Sequence, residues 1–324
     1  MSPIAPAGSI VTVTANPSLD RTITLDAALQ PGEVQSAVSS REDAGGKGIN
    51  VARVVAAAGV PTTAVLPLAQ DDPFSTALRA SHVPAHPVEV AGHARANVTI
   101  TDPAGVTTKL NLPGAALSTA DVSELIAAVV TASEGAAWLV LAGSLPPGAG
   151  DGLYVEMIRA VRARWGAGAP RIAVDTSGPA LRAVVTEAAP DLIKPNDEEL
   201  AELAGVDLEA GADLAAAVLP VARALVPAQV AAALVTLGAD GAVLVSTDGA
   251  WQATPPRIRV VSTVGAGDSS LAGYLLADVA GDAPADRLRR SVRYGAAAAS
   301  LPGTQAPTPD DLPPGEVVVR ELND

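Results

Sequence analysis

The sequence predicts an α/β fold: a mostly parallel β-sheet sandwiched by helices, with a small β-sheet lid over one edge. Three observations carry this. Apolar runs of strand length alternate with helix-length amphipathic segments from end to end. At 48% hydrophobic but only 2% aromatic residues, the core must be built from Ala, Val, Leu and Ile, which suits buried parallel strands packed on Ala-rich helices. Two stretches break the rhythm and read as extra β structure, 21–40 and 94–114.

In chain order, SIVTVTA (9–15) opens the sheet, and the glycine-rich turn before residue 48 leads into a helix over 48–58. TTAVLPL (62–68) is the next strand, followed by helical patterns at 74–81 and 118–131. AAWLVLAG (136–143) is a buried strand, then a helix at 151–165 and the strand RIAVDTS (171–177). DLIKPN (191–196) is a short strand whose end opens a helix over 196–204. A helix at 212–225 precedes the strand AALVTLGA (232–239). Strand and helix in turn mean parallel strands joined by crossovers.

The interruption at 94–114 is a predicted hairpin, two alternating runs around Asp102-Pro103-Ala104-Gly105. Both interruptions sit between elements of the main fold, so residues 1–324 read as one domain with lid segments inserted in it. A lid commonly excludes water from a reaction. The stretch 301–316 is Pro-rich and reads as irregular.

Composition excludes several classes. The chain has no cysteine, which removes disulfides and thiolate metal sites. A formal net charge of −14 argues against a nucleic-acid surface, which needs clustered cations. The uncharged run after Arg53 contains Pro and polar residues and falls short of a membrane span. The first ionisable side chain is Asp20 and the first cation Arg21, so no basic secretory segment opens the chain and a cytoplasmic location is expected.

Two glycine clusters and one acidic turn could carry chemistry. Gly45, Gly46 and Gly48 flank Lys47 where a strand turns into a helix; lacking Cβ atoms, they let backbone amides face a ligand, with Asn50 on the first helical turn. Gly265, Ala266 and Gly267 would expose successive amides at a helix start as an anion hole, with Asp268 placed to accept a proton from a hydroxyl. Ser270 occupies the third-glycine position of a dinucleotide fingerprint and there is no P-loop motif, so neither of those nucleotide folds applies. In KPNDEEL (194–200), Asn196 and Glu199 share one helical face; they read equally as a hydrated Mg²⁺ pair or as a capping box. Asp175 either faces a site or merely ends its strand.

Taken in order, NPSLDRT (16–22), GGKGINVAR (45–53), GSLPPG (143–148), DTSG (175–178), KPNDEEL, VTLGADGAVLV (235–245) and VGAGDSSLAGY (264–274) resemble the phosphosugar branch of the ribokinase/PfkB sugar-kinase family from about Val11 to Thr304. The resemblance implies a ribokinase-like fold and ATP-dependent phosphorylation of fructose 1-phosphate at its C6 hydroxyl. It implies Asp268 as base, with Gly265, Ala266 and Gly267 as anion hole, and sugar contacts from Asp20, Gly45, Gly46, Lys47 and Asn50. It places Arg95, Asn97, Lys109 and Ser144 with the phosphosugar, and Asp175, Lys194, Asn196, Thr236, Gly238 and Ser262 with ATP. Mg²⁺ acts through Asn196 and Glu199, and a monovalent cation is a further family cofactor. Arg95 carries the phosphosugar assignment, since a guanidinium binds phosphate bidentately. Thr99 stands where several relatives have Lys, and GEVQSA (32–37), which holds Gln35 and Ser36, lacks their cation; Lys109 is the candidate second one. A lid sheet with an open edge could also pair two copies as a homodimer.

His82, His86 and His93 lie in a Pro-rich stretch without carboxylates at ligand spacing and are set aside as a metal site. Trp138 and Trp251 read as core or rim, and Arg159, Arg162 and Arg164 as a solvated helix face.

Overall fold

The structure, a computed structural model, describes residues 8–208 and 213–322. Among these, one large sheet has ten strands. From one edge run β5 (Ala85–Glu89), β4 (Thr62–Leu68), β1 (Ile10–Val13), β8 (Trp138–Ala142), β9 (Arg171–Asp175), β10 (Leu192–Ile193) and β11 (Ala232–Thr236), all parallel. Antiparallel strands β12 (Ala242–Ser246), β13 (Gly249–Thr254) and β14 (Val318–Glu321) finish the other edge.

Helices cover both faces because the strands are apolar on both. Leu139 and Leu141 point to one core, shared with α3 (Thr119–Ala132) and α4 (Leu153–Trp165), while Trp138, Val140 and Ala142 point to the other, shared with α1 (Lys47–Ala57), α8 (Ala266–Val279) and α9 (Pro284–Ala299). α5 (Gly178–Glu187), α6 (Asp197–Ala204) and α7 (Leu214–Leu225) extend the first layer under β10 to β12. α2 (Phe74–Ala80) seals the β4 end. Trp138 is core as expected, its Nε1 donating to buried Asp278 at 2.7 Å and its ring under the Arg171 guanidinium.

The smaller sheet has the order β3 (Ala37–Gly45), β2 (Ser18–Leu25), β6 (Arg95–Thr101), β7 (Thr107–Asn111). Its hairpin turns where expected: Asp102 Oδ1 accepts the amides of Ala104 and Val106. Its strands reach past the expected segment, however, starting at Ser18 and ending at Gly45, so Asp20 lies on the sheet and not before it.

Other differences have local causes. β10 is only Leu192–Ile193, because Pro195 cannot donate to the ladder; an isolated bridge from Asn196 to Thr236 continues the pairing. β5 contains His86 and Pro87, tolerated on a sheet edge. α5 starts with Pro179 in its first turn, where a missing N–H costs nothing. The expected start of α7 at residue 212 lies outside the described residues; Asp213 caps it. Arg159 and Arg162 do not form a free face: they reach Glu187 and the carbonyls of Ala188 and Ala189. Among the described residues no helix is long and apolar enough to cross a membrane.

Candidate active site

The candidate residues gather at the carboxyl ends of the parallel strands. From β1 the chain continues outward to β4 and β5, then returns to place β8 on its other side, so β1 and β8 flank the point where strand order reverses. Open α/β sheets bind ligands at such a crevice. Here the loops after β1 and β8 meet directly: Asn16 Nδ2 donates to Ser144 Oγ at 3.3 Å and to the Leu145 carbonyl at 3.4 Å.

Asp268 sits in the first turn of α8, 7% exposed. Gly265, just before the helix, has φ +78°, which aims the following amides along the helix start at no steric cost. From the facing N-terminus of α1, Asn50 Nδ2 donates to Asp268 Oδ2 at 2.8 Å, while Asn50 Oδ1 is buried without a hydrogen-bond partner. Burial lifts the Asp268 carboxyl to about 6, and the Asp175 carboxylate adds to the lift; Asn50, Lys47 and Lys194 pull the other way. A carboxylate tuned toward neutrality beside a row of helix-terminal amides suits general-base chemistry at a hydroxyl.

Asp175, at the end of β9, is fully buried between two lysines. Lys47 Nζ lies 2.7 Å from Oδ1 and Lys194 Nζ 3.1 Å from Oδ2. Burial alone would raise this carboxyl, but the two ammonium groups outweigh it and hold it below the ordinary range. Lys47 is held above its ordinary value by the same contact, against the effect of burial. Lys194 Nζ also lies 3.3 Å from where a Cβ would stand on Gly267, so its charge borders the anion hole. Beneath, the hydroxyls of Tyr154 and Thr176 both donate to the Gly143 carbonyl, fixing the tip of β8 against Asp175.

The small sheet supplies a polar row through its register. Asp43, Asp20, Asn97 and Asn111 stand opposite one another across its four strands. Ser18 Oγ donates to Asp20 Oδ1 at 2.7 Å and Asn97 Nδ2 at 3.0 Å. Burial raises the Asp20 carboxyl, tempered by those bonds and by Arg95. A Cβ on Gly45 would meet the Asp20 carboxylate, which would have to shift to make room. Arg95 occupies the row on one side of Asp20, half-buried, its Nε without a hydrogen-bond partner. Arg41, Thr22, Thr99 and Lys109 form the row on the other side. Lys109 is exposed. β3 ends at Gly45, and Gly46 leads straight into α1, so the row abuts Lys47 and Asn50.

On the β10 to β11 side, Asn196 caps α6 and forms the reciprocal box with Glu199: Asn196 Oδ1 accepts the Glu199 amide at 2.7 Å, and Glu199 Oε2 accepts the Asn196 amide at 2.9 Å. The capping alternative is therefore realised through Glu199 Oε2, while among the described residues no hydrogen bond engages Oε1, and the Glu199 charge acts on Lys47. Thr236 bridges to Asn196 and Gly238 follows it. Ser262 Oγ donates to the Gly303 carbonyl at 3.2 Å and accepts the Val264 amide, shaping the approach to Gly265. His93 faces Asp71 instead of another histidine.

Sequence reading missed Asn16, Ser18, Asp43, Asn111 and Arg53 as neighbours of the site. Arg53 lies within GGKGINVAR, and the strand partners follow once the small sheet's register is known.

Comparisons with known proteins bear on the fold and the family. A 1-phosphofructokinase of Rhodobacter capsulatus is 37% identical over 312 residues, 94% of each chain. Crystal structures of phosphofructokinase-2 from Escherichia coli superpose with TM-scores of 0.85 for a complex with potassium and 0.81 for one with fructose-6-phosphate, each 30% identical and covering 94% of this chain and 96% of the other. The profile of the pfkB family carbohydrate kinases matches residues 13–311. With the ribokinase-like sheet and the site at its switch point, these findings establish that the chain belongs to the pfkB family of carbohydrate kinases and is a phosphotransferase acting on a sugar.

Proposed function

We propose that the chain catalyses ATP-dependent phosphorylation of fructose 1-phosphate at the C6 hydroxyl, giving fructose 1,6-bisphosphate and ADP. The observation that carries the reaction type is Asp268, buried, lifted toward neutrality and hydrogen-bonded to Asn50 at the start of α8. The observation that favours this sugar is the 37% identity to a 1-phosphofructokinase over nearly the whole chain.

Asp20 and Asn97 hold sugar hydroxyls, and Arg95, with Ser144 and Lys109, holds the existing phosphate. Asn50 orients Asp268, which takes the proton as the C6 oxygen attacks the γ-phosphoryl in line. Charge developing on the transferred group is held by the amides of Gly265, Ala266 and Gly267 and by Lys194. Glu199, with one free carboxylate oxygen beside Asn196, suits a hydrated Mg²⁺, which binds few protein oxygens and keeps waters and phosphate. Bound Mg²⁺ supplies neutralisation of the polyphosphate charge. ATP lies along Thr236, Gly238 and Ser262, and closure of the small sheet excludes water. The potassium complex of the similar structure supports a monovalent cation as cofactor. Leu110, 54% exposed opposite Val98 on the outer face of the small sheet, supports a homodimer through that face; a monomer by light scattering would remove it.

ADP release with Mg·ATP against fructose 1-phosphate, fructose 6-phosphate, tagatose 6-phosphate and fructose tests the reading. The highest kcat/KM is expected for fructose 1-phosphate. The similarity to phosphofructokinase-2 bound to fructose-6-phosphate favours a second reading, phosphorylation of a 6-phosphosugar on the same scaffold. A preference for such a sugar selects it; ligand binding without any turnover would make the chain a sensor.

A further inference from the structure

Helix α1 reaches the nucleotide half of the molecule twice. Asn50 reaches Asp268, and three residues on, along the neighbouring face of the helix, Arg53 Nη1 donates to the Thr304 carbonyl at 3.0 Å. The segment holding Thr304 follows α9, receives one further hydrogen bond and is approached by one further side chain. Ser262, which leads into the anion-hole turn, donates to the Gly303 carbonyl. From β3 of the small sheet, Arg41 Nη2 lies 3.6 Å from where a Cβ would stand on Gly303, while Arg41 Nε pairs with Asp43 of the polar row at 2.7 Å. Arg53 is itself half-buried and electrostatically linked to Asp43, Arg41 and Asp20. The Gly303–Thr304 turn is thus held by hydrogen bonds from the sugar-side helix and from the nucleotide-side loop, with Arg41 of the small sheet close by.

We infer that Arg53 is a positioning residue that couples the two substrate sites: through the Thr304 carbonyl it ties the α1 and small-sheet half to the Ser262–Gly265 turn, so occupancy of one site tightens the other. The inference rests on the phosphosugar and ATP reading above. The chemistry favours this link. A guanidinium is planar and multidentate, so it can serve a carbonyl while its charge stays engaged with the row carboxylates. Loss of the link leaves both sites individually built, since among the described residues Arg53 donates no hydrogen bond to a residue assigned to either ligand and acts on Asp20 only through its charge, yet removes the contact by which they sense each other. Coupling between sites is reciprocal, so it must appear as an equal change in each ligand's affinity.

The test is the coupling factor itself, measured on the full chain by fluorescence or calorimetry with a non-hydrolysable ATP analogue and Mg²⁺, with and without saturating fructose 1-phosphate, and in the reverse order. The unmodified chain is expected to show mutual tightening of about fivefold or more. Arg53→Met, which keeps the apolar stem, is expected to bring the factor close to one while each binary affinity stays within about threefold, and Arg53→Lys to restore part of it. A variant that merely loosens the fold weakens both binary affinities and leaves their ratio unchanged, which overturns the inference. So does an unmodified chain without coupling, or an Arg53→Met chain that keeps it; if Arg53→Met does not fold, Arg53→Lys alone decides, full coupling counting against. Absence of binding and turnover with every phosphosugar would sink the reading of function instead.

Discussion

Asn50 and Asp268 stand 218 residues apart in the chain and are joined by a 2.8 Å hydrogen bond from amide to carboxylate. The bond stabilises the ionised form, against burial and the Asp175 charge that lift the carboxyl to about 6. A base works only when deprotonated, so kcat/KM should rise with pH along an acid limb centred near 6. Asn50→Ala removes one of the contacts that lower it and should move the limb to higher pH. A pH-rate profile of both chains checks this; a limb unmoved by the substitution would mean that another group controls it.

Asp268→Asn should cut kcat by about 10²- to 10⁴-fold, with ATP affinity largely kept. Stability should move the other way. The folded chain holds the Asp268 proton more tightly than the unfolded chain, whose carboxyl stays near 3.8, so stability is full below that value and falls as pH rises through about 6. The Asn variant escapes this loss. Its Tm should exceed that of the unmodified chain at pH 8 and match it near pH 4. Scanning calorimetry at the two pH values, beside turnover, separates a catalytic from a structural role.

How far these pairings were legible in the sequence depends on the range of the physics involved. Periodicity is local, so β1, β4, β8, β9, β10 and β11 and helices α1 to α4, α6 and α7 follow from apolar spacing, whereas α5 and the antiparallel β12, β13 and β14 are not among the expected elements; a Gly-Ala-Gly run before Asp268 announces a helix start that can hold an anion. Register is not local. That Asp20 lies on the small sheet beside Asn97 and Asp43, and that Lys47 and Lys194 share Asp175, depends on where strands end in space. β5 was hidden by Pro87, which only an edge position excuses. For Asn196 and Glu199 the same spacing serves a cap and a cation; the hydrogen bonds show the cap formed, with one oxygen to spare. The Arg53 link ends on a backbone carbonyl, which no side-chain pattern reveals.

Asp175→Asn should damage both stability and turnover. Its folded carboxyl lies below the ordinary range, so its contribution is present above the unfolded value of about 3.8 and is lost as pH falls through the lower folded one. Removing the charge leaves Lys47 and the buried Lys194 without their counter-ion, at a cost of about 3–5 kcal/mol. With Lys194 released from beside Gly267, kcat should fall as well. One effect runs the opposite way: Asp268 loses a charge that raises it, so the acid limb should shift to lower pH. Denaturant unfolding and a pH profile of the variant test the two signs together.

Gly45→Ala introduces a methyl where the Asp20 carboxylate stands. Backbone on one side and a side chain held by Ser18 and Asn97 on the other leave Asp20 to move. KM for the phosphosugar should rise about tenfold or more, with little change in KM for ATP. Equal changes in both would show that the substitution disturbs α1 as a whole instead of the polar row.

Arg95→Gln addresses which cation holds the substrate phosphate. Arg95 is half-buried, burial outweighs the attraction of Asp20 in working against its charge, and among the described residues its Nε has no hydrogen-bond partner. An anion arriving in that row would offset the effect of burial and accept two parallel bonds. Loss of one charge-assisted interaction, about 1.5–3 kcal/mol, should raise KM for fructose 1-phosphate about 10- to 100-fold. Turnover at saturation should change far less, because the C6 hydroxyl and Asp268 lie away from the phosphate. Unphosphorylated fructose supplies the control: its weak turnover should not respond to the substitution. Thermal stability should change little, because the burial that works against the Arg95 charge is relieved while its attraction to Asp20 is lost. If KM for fructose 1-phosphate stays put, as that for fructose does, the phosphate lies instead over the row on the other side of Asp20, where Arg41 and Lys109 flank Thr22 and Thr99.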